Sequence, residues 1–279
     1  MGLNAPDAVP SKLNSTPPPP RDPNSGKSKG LKGRKATLKE ELKSLAWIIL
    51  VVLCIRAFIV EPYKIPTASM VPSLLVGDHI FVLKFAYSLG IPFTKIKLIQ
   101  TGPLKRGDVA VFLYPEDESV NFVKRVIALA GDTVEIKNRM VYINDVPLRL
   151  EEIEQPQLMQ EVLTSHKNPF QRLHHEQFPD NVSGFDSRNT HSAKHFVLLD
   201  DMNRNPLTQH FEKTTVPEGH FFVMGDNRDR SLDSRNWGFV PMENLKGRAS
   251  VIWWSVQPDV PWLDVTHKFR WKRLFTWVK

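Results

Sequence analysis

The chain has 279 residues, 41% hydrophobic and 24% charged, with a formal net charge of +7; this is enough apolar material for one sizeable core and excludes wholesale disorder. The charge sits at the ends: residues 1–43 carry nine Lys or Arg against four acids and residues 265–279 carry five bases and no acid, so the ends hold +10 and the stretch between them −3. A basic surface spread over the folded body, as reading nucleic acid requires, is excluded, whereas basic ends suit anionic lipid head groups, and Cys54, the single cysteine, rules out an internal disulfide.

Residues 1–36 open the chain, and the first 35 hold seven of the 22 prolines, including "PPPP" at 17–20. Such composition cannot bury a core and reads as a disordered tail. From Thr37 the text changes to "TLKEELKSLAWIILVVLCIRAFIV", which predicts a helix over 37–60 with an apolar run from Leu45 to Val60. That run is slightly shorter than the ~17–25 residues of most membrane spans and contains Arg56. Its apolar residues nevertheless cover every face, and Arg56 lies near the end, where it can snorkel. The expectation is one transmembrane anchor helix, with the basic side, the N-terminus, in the cytoplasm and the rest outside it. "IVEPYKIP" offers no small-x-small cleavage site, so the anchor reads as uncleaved.

After Glu61 the chain becomes a series of short β-type runs: "HIFVLKFAY", "DVAVFLY", "NFVKRVIAL", "TVEIKNRMVYIN", "HFFVMGD" and "RASVIWWSV", separated by Gly, Pro, Asp and Asn. Because no helices alternate with them, the predicted fold class is mainly β, an antiparallel β-sheet body. Its two parts are residues 61–149 and 217–279, with a polar, irregular insertion or cap subdomain at 150–216. The insertion holds six of the nine histidines. "HSAKH" carries His191 and His195, and "LHHEQ" puts His174 and His175 beside Glu176, but without an HExxH frame or a cysteine these read as a solvated loop rather than a metal site. The C-terminal "WLDVTHKFRWKRLFTWVK" interleaves Trp262, Phe269, Trp271, Phe275 and Trp277 with bases, a pattern that fits packing on the β body or contact with a membrane interface.

"PTASMVPSLLVGD", residues 66–78, sets Ser69 between Ala68 and Met70 soon after the apolar run. A loop serine is ordinarily a turn residue; a nucleophilic one needs a base. His79 follows ten residues on in a strand pattern, and most other histidines fall in the insertion. Lysine is the other solution, provided burial lowers its pKa from about 10.4 toward 8, at a cost of roughly 3 kcal/mol. In "VNFVKRVIALAGD" a period of two puts Phe122, Lys124 and Val126 on one face, so Lys124 is flanked by hydrophobes. Pattern alone favours the plainer reading, an exposed lysine on an edge strand.

Four ordered motifs decide between them. "PTASMVPSLLVGD", "RGDVAVF", "FVKRVIALAGD" and "GDNRDRSLDSRNWGFVP" resemble, in that order, the boxes of bacterial type I signal peptidase (leader peptidase), a Ser-Lys serine protease. The resemblance covers the chain from about residue 44 to 255. It implies Ser69 as nucleophile and Lys124 as general base. It also implies the Ser69 N–H and the Thr67 hydroxyl as oxyanion donors, Ser231 as the group orienting the lysine, and Asp233 and Arg235 as support for that loop. Thr67 stands where serine is common, Arg230 where asparagine is, and Ala130 where proline is. The matching substrate positions are Tyr63, Ile65, Pro66, Met70, Leu74, Phe122 and Val123. The implied activity is cleavage of signal peptides from exported preproteins after an A-x-A pattern, without metal or organic cofactor, at the extracytoplasmic face of the bacterial inner membrane. Preproteins and membrane lipids are the implied partners, nucleic acid is not, and the oligomeric state is left open. Two alternatives are a catalytically inactive membrane-anchored β binding module and a related Ser-Lys self-cleaving regulator, which would need a DNA-binding module. Ser69 follows Val60 by nine residues, at most about 30 Å of extended chain, so the nucleophile is expected close to the membrane surface.

Overall fold

The computed structural model describes residues 38–90, 96–166, 170–179, 190, 194–202 and 204–278; the tail at 1–36 and His191 lie outside these residues. Helix α1 spans Leu38–Phe58, with Glu40 and Glu41 in its first turn and Arg56 in its last, each on the side that complements the helix dipole. Its apolar residues are exposed on every face, Trp47, Ile48, Ile49, Leu50, Val52 and Leu53 among them. Among the described residues no helix is long and apolar enough to cross a membrane. The physical reason lies in the charges: within α1 the uncharged stretch runs only from Ser44 to Ile55, between Lys43 and Arg56.

The β body begins with β1 (Val60–Lys64) and β2 (Asp78–Leu83), followed by a two-stranded ribbon of β3 (Ser88–Gly90) and β4 (Lys97–Gln100). A long hairpin of β5 (Val109–Tyr114) and β6 (Asp117–Leu129) leads to β7 (Thr133–Lys137), β8 (Met140–Ile143) and β9 (Val146–Pro147). Next come β10 (Arg149–Glu152), helix α2 (Pro156–His166), β11 (Gln171–Gln177) and β12 (Lys194–Asp200). The chain returns through β13 (His210–Thr215), β14 (His220–Met224), β15 (Val240–Pro241), β16 (Leu245–Ser255) and β17 (Thr276–Trp277). The largest sheet has the order β1-β2-β16-β5-β6-β14-β15, with β17 beside β16. The order β13-β7-β8-β9 makes a second sheet and β10-β11-β12 a third. Every ladder between these strands is antiparallel.

Local sequence explains the tight connections. Along β7 and β8 buried and partly exposed residues alternate, and the two-residue turns that flank β8 place Asn138, Arg139, Asn144 and Asp145 at positive φ. Turns of that hand match the twist of the strands they join, and Asn and Asp tolerate the conformation best. β6 departs from simple alternation: from Lys124 to Ala128 every residue is buried. It is an interior strand, paired with β5 along 117–125 and with β14 along 125–129. The exposed lysine suggested by pattern alone is replaced by a buried one, 4% exposed, one residue before β14 joins.

The polar stretch at 150–216 is more ordered than its composition suggests. It contains α2 and a three-stranded sheet, and its last strand, β13, joins β7 rather than the sheet of β10–β12. Glu176 and His195, read as loop residues, face each other across the β11–β12 ladder. His195 is buried within 3.2 Å of Glu176 and Arg228 pairs with the same carboxylate. Alternation was hidden there because charged residues occupy the buried positions in place of hydrophobes.

One core joins the second sheet to the main one through Ile127, Val134, Ile136, Val141, Ile143 and Phe222, all buried. A second, around Ile65, Met70, Leu74, Ile80, Val111 and Ile252, lies beneath the segment that carries Ser69. Ile136→Ala should lower the unfolding free energy by about 2–5 kcal/mol through lost burial and a residual cavity. Ile99→Ala, at a position 62% exposed, should change it by no more than about 0.5 kcal/mol. Urea denaturation checks both; equal costs would mean the core is misassigned.

Candidate active site

Residues 67–74 form a turn between β1 and β2, and this turn brings Ser69 to the middle of β6. Lys124 Nζ donates to Ser69 Oγ at 2.6 Å, although the two residues are 55 apart in sequence. The lysine side chain is buried, and burial lowers its pKa to about 8; the carboxylates of Asp233 and Asp226 oppose that shift and Arg235 assists it. The amine is thus near half-neutral slightly above physiological pH, in contact with a hydroxyl. This pairing can take a proton from the serine without a histidine. His79 is turned elsewhere, with Nδ1 against Gly77 O and its ring edge-on to Trp253.

The two carboxylates closest in effect to Lys124 are each held by an arginine. Asp226 receives Arg125 Nε and Nη2, both at 2.7 Å, and Asp233 receives Arg235 Nε at 2.8 Å and Nη2 at 2.7 Å. Burial alone would push both carboxyls up, yet the paired guanidinium groups hold them below the ordinary range. Asp233 also caps the helical turn Ser234–Trp237 and accepts the Gly225 N–H at 2.9 Å. Arg125 reaches further, donating to Gly107 O at 2.8 Å and to Ser73 Oγ at 3.2 Å. One arginine therefore ties together segments from all four motifs.

Of the residues singled out in sequence, Ser69, Lys124, Asp233 and Arg235 come together as described. Ser231 is buried on the same loop, without a well-formed hydrogen bond for its Oγ but close enough to Asp233 to help keep that carboxyl ionised. Thr67 is exposed at the start of the turn. Ile65, Met70 and Leu74 share one apolar cluster, with Tyr63 and Val123 packed against it. Met70 and Leu74 are buried to 1% and 0% exposure, so they form the floor, while Tyr63, Pro66 and Val123 retain accessible surface. Phe122 belongs to a neighbouring aromatic group, stacked on Tyr114 at 4.6 Å and edge-on to Trp237 at 5.3 Å.

Four residues that matter to this geometry were not singled out: Gly225, Asp226, Asn227 and Arg125. The signal was present in the "GDN" that opens the last motif and in the "KR" pair of the lysine motif. A Cβ at position 225 would collide with Ser231 Oγ and with Ser69 O, so only glycine permits the loop to lie this close to Ser69. Asn227 N–H donates to Ser69 O and its Nδ2 to Ala68 O, both at 3.1 Å. Among the described residues no three His, Cys, Asp or Glu side chains converge as a metal site would require. A separate cavity of about 380 Å³ lies beside the β3–β4 ribbon, lined by Tyr87, Lys97, Ile99, Met242 and Leu245, and includes none of the residues above.

Comparison with known proteins finds relatives over most of the chain. The family described as "Signal peptidase, peptidase S26" matches residues 38–254. A signal peptidase I of Buchnera aphidicola (subspecies Acyrthosiphon pisum) is 37% identical, covering 77% of this chain and 75% of its own. The signal peptidase I of Aquifex aeolicus is 38% identical over 78% of this chain and 85% of its own, and that of Pseudomonas aeruginosa 35% identical over 80% and 74%. With the match running across α1, the serine turn, β6 and the last motif alike, the chain belongs to the signal peptidase I family, serine endopeptidases that cleave signal peptides.

Proposed function

We propose that the chain cleaves signal peptides of exported preproteins by a Ser69–Lys124 dyad, after small residues in an A-x-A pattern, while held at a membrane. The observation that carries the reading is the 2.6 Å contact between a buried, pKa-lowered Lys124 and Ser69 Oγ. Neutral Lys124 takes the Ser69 proton as Oγ attacks the scissile carbonyl, and the resulting ammonium protonates the leaving amine. The acyl-enzyme is then hydrolysed by a water that the same amine deprotonates. The Ser69 N–H and the Thr67 hydroxyl stabilise the oxyanion, while Ser231 orients the amine and Asp233 with Arg235 holds that loop.

The substrate is taken as an extended strand. β14 pairs with β6 only from Arg125 to Leu129, which leaves Asn121–Lys124 paired on the β5 side alone among the named strands. A peptide added there would form backbone hydrogen bonds and point alternate side chains at the surface made by Tyr63, Ile65, Pro66, Phe122 and Val123. Met70 and Leu74 beneath it keep that surface shallow, which suits alanine and excludes larger side chains.

The exposure of apolar side chains supports membrane attachment. α1 presents Trp47, Ile48, Leu50 and Val52 outward on all sides, which is costly in water and favourable in lipid. Arg56 snorkels toward head groups, and Trp262, Leu263, Trp271, Phe275 and Trp277, also exposed, meet the same interface. Preproteins and lipids are thus the partners, and the chemistry needs no cofactor.

Four measurements test this reading. Ser69→Ala and Lys124→Ala, each with wild-type circular dichroism, should lower kcat/KM for an A-x-A preprotein by at least about 10³-fold; cleavage at the wild-type rate by either sinks the dyad. In the wild type, kcat/KM should fall about tenfold per pH unit below about 8, as Lys124 becomes protonated, and a flat profile between pH 6 and 8 would contradict a lysine base. Lys124→Met should be inactive but more stable at pH 7 by about 3 kcal/mol, because the unfolded chain no longer gains from charging this amine. The sign follows from a folded pKa below the unfolded one: the gain is full below pH 8 and disappears by about pH 10.5. Finally, alkaline carbonate should leave the full chain in the membrane pellet; its release to the supernatant would reject α1 as an anchor.

A further inference from the structure

The insertion at 150–216 meets the serine turn in an apolar cluster, where Val162, Leu173 and Leu198 pack with Val71 and Leu75, and in a polar contact through a side chain that the dyad chemistry does not use. Asn227 is fully buried and clamps two successive carbonyls of the serine turn, Ala68 O through Nδ2 and Ser69 O through its backbone N–H. Its Oδ1 accepts from Gln171 Nε2 at 2.7 Å, and Gln171, at the start of β11, is itself 2% exposed. The orientation of the Asn227 amide is dictated by these contacts. Reversing it would set Oδ1 against Ala68 O and Nδ2 against Gln171 Nε2, two like-polarity pairs in a buried site. The 226–228 segment is pinned to the insertion a second and third time, by Leu198 N–H donating to Asp226 O at 2.8 Å and by the ion pair of Arg228 with Glu176.

We infer that Gln171 and Asn227 are positioning residues that aim the Ser69 backbone N–H at the developing oxyanion. The inference rests on the serine-protease reading above. In a trans peptide the carbonyl and the following N–H point in opposite directions in one plane. A donor fixed on Ala68 O therefore fixes where the Ser69 N–H points, and by drawing charge onto that oxygen makes the N–H a stronger donor. Ala68 O also accepts from Val71 N–H at 3.2 Å, but that bond lies within the turn and moves with it. Asn227 instead refers the peptide plane to a loop fixed on β11 and β12. The polar insertion, left without a role by the dyad chemistry, is on this view the outer brace of the oxyanion site.

The test uses the full chain in detergent with an A-x-A preprotein. It also uses two peptide probes: an aldehyde, which adds Ser69 Oγ and places an oxyanion in the site, and the matching uncleavable amide, which does not. Asn227→Ala should lower kcat by about 10- to 100-fold, short of the full loss of an oxyanion donor. KM and amide affinity should stay within about twofold, aldehyde affinity should fall in step with kcat, and the rise of activity through pH 8 should stay where it is. Gln171→Ala should reproduce a weaker form of the same pattern, Gln171→Glu should be at least as damaging because a carboxylate cannot donate to Oδ1, and in the Asn227→Ala background neither should cost more. Should Asn227→Ala fail to fold, the two Gln171 variants carry the test unaided. The inference is overturned if kcat is unchanged in the folded variants, if aldehyde and amide lose affinity equally, or if the Gln171 and Asn227 effects multiply. Ser69→Ala runs alongside: its retaining activity would strike the underlying reading, whereas its inactivity beside unaffected Asn227 and Gln171 variants would strike only this inference.

Discussion

A lysine can serve as a base near neutral pH, as proposed for Lys124, only if it is kept from being charged, and its surroundings meet that requirement. Desolvation does the work, and it is opposed by Asp226 and Asp233. Left unpaired, two buried carboxylates at this range would hold the amine as an ammonium. Each instead meets an arginine in a two-pronged contact, Arg125 on Asp226 and Arg235 on Asp233. These contacts engage both carboxylates, Arg235 itself favours the neutral amine, and burial prevails. Such pairs are weak sources of net stability, since both charges lose their water. Here their effect is to set the protonation state of a third group.

The same requirement bears on the place of Lys124 in β6. Lys124 is the last residue of β6 before β14 joins at Arg125, so its only ladder partner among the named strands is β5, and its burial comes from side-chain packing rather than from a second strand. Ser69 arrives at this lysine from outside the sheet, on a turn. That turn makes few ladder bonds of its own and is held by side chains from distant segments. Asp78, buried at its end, accepts the Leu75 N–H at 2.8 Å, Ser255 Oγ at 2.6 Å and Arg273 Nη2 at 2.7 Å. Arg273 and Arg270 also donate to Ser73 O and Val76 O. The basic C-terminal stretch, whose aromatic residues face outward, thus presents its arginines inward to the serine turn.

How far the sequence revealed this depended on whether a signal was local. Strands with alternating residues, such as β7 and β8, and strongly apolar ones, such as β5, were legible because burial follows a period of two or saturates it. The dyad was legible only through motif resemblance: periodicity could place Lys124 on an apolar face but could not say which strands would flank it. The insertion was misread because its buried positions hold Glu176, His195 and Gln171, whose partners are distant in sequence, 19 residues for Glu176–His195 and 56 for Gln171–Asn227. Polar groups that pair across a fold leave no periodic trace in one dimension. α1 shows the converse: its composition was read as a span, yet the position of Lys43 and Arg56 within the helix shortens the uncharged part.

Ser69, Lys124 and Asn227 come from three stretches, the turn at 67–74, β6 and the loop at 225–235, and nothing local in any of them would hold Ser69 Oγ within reach of Lys124. Each long-range contact has to be assembled against chain entropy, and once assembled it leaves little freedom at the reacting atoms. That is the condition for preorganised catalysis: donors and base already oriented when the carbonyl arrives, with no solvent to rearrange. Glycine at position 225 is the geometric consequence. With the loop pressed against both Ser231 and the Ser69 carbonyl, the backbone itself becomes part of the wall, and a single added methyl would separate the two halves of the site.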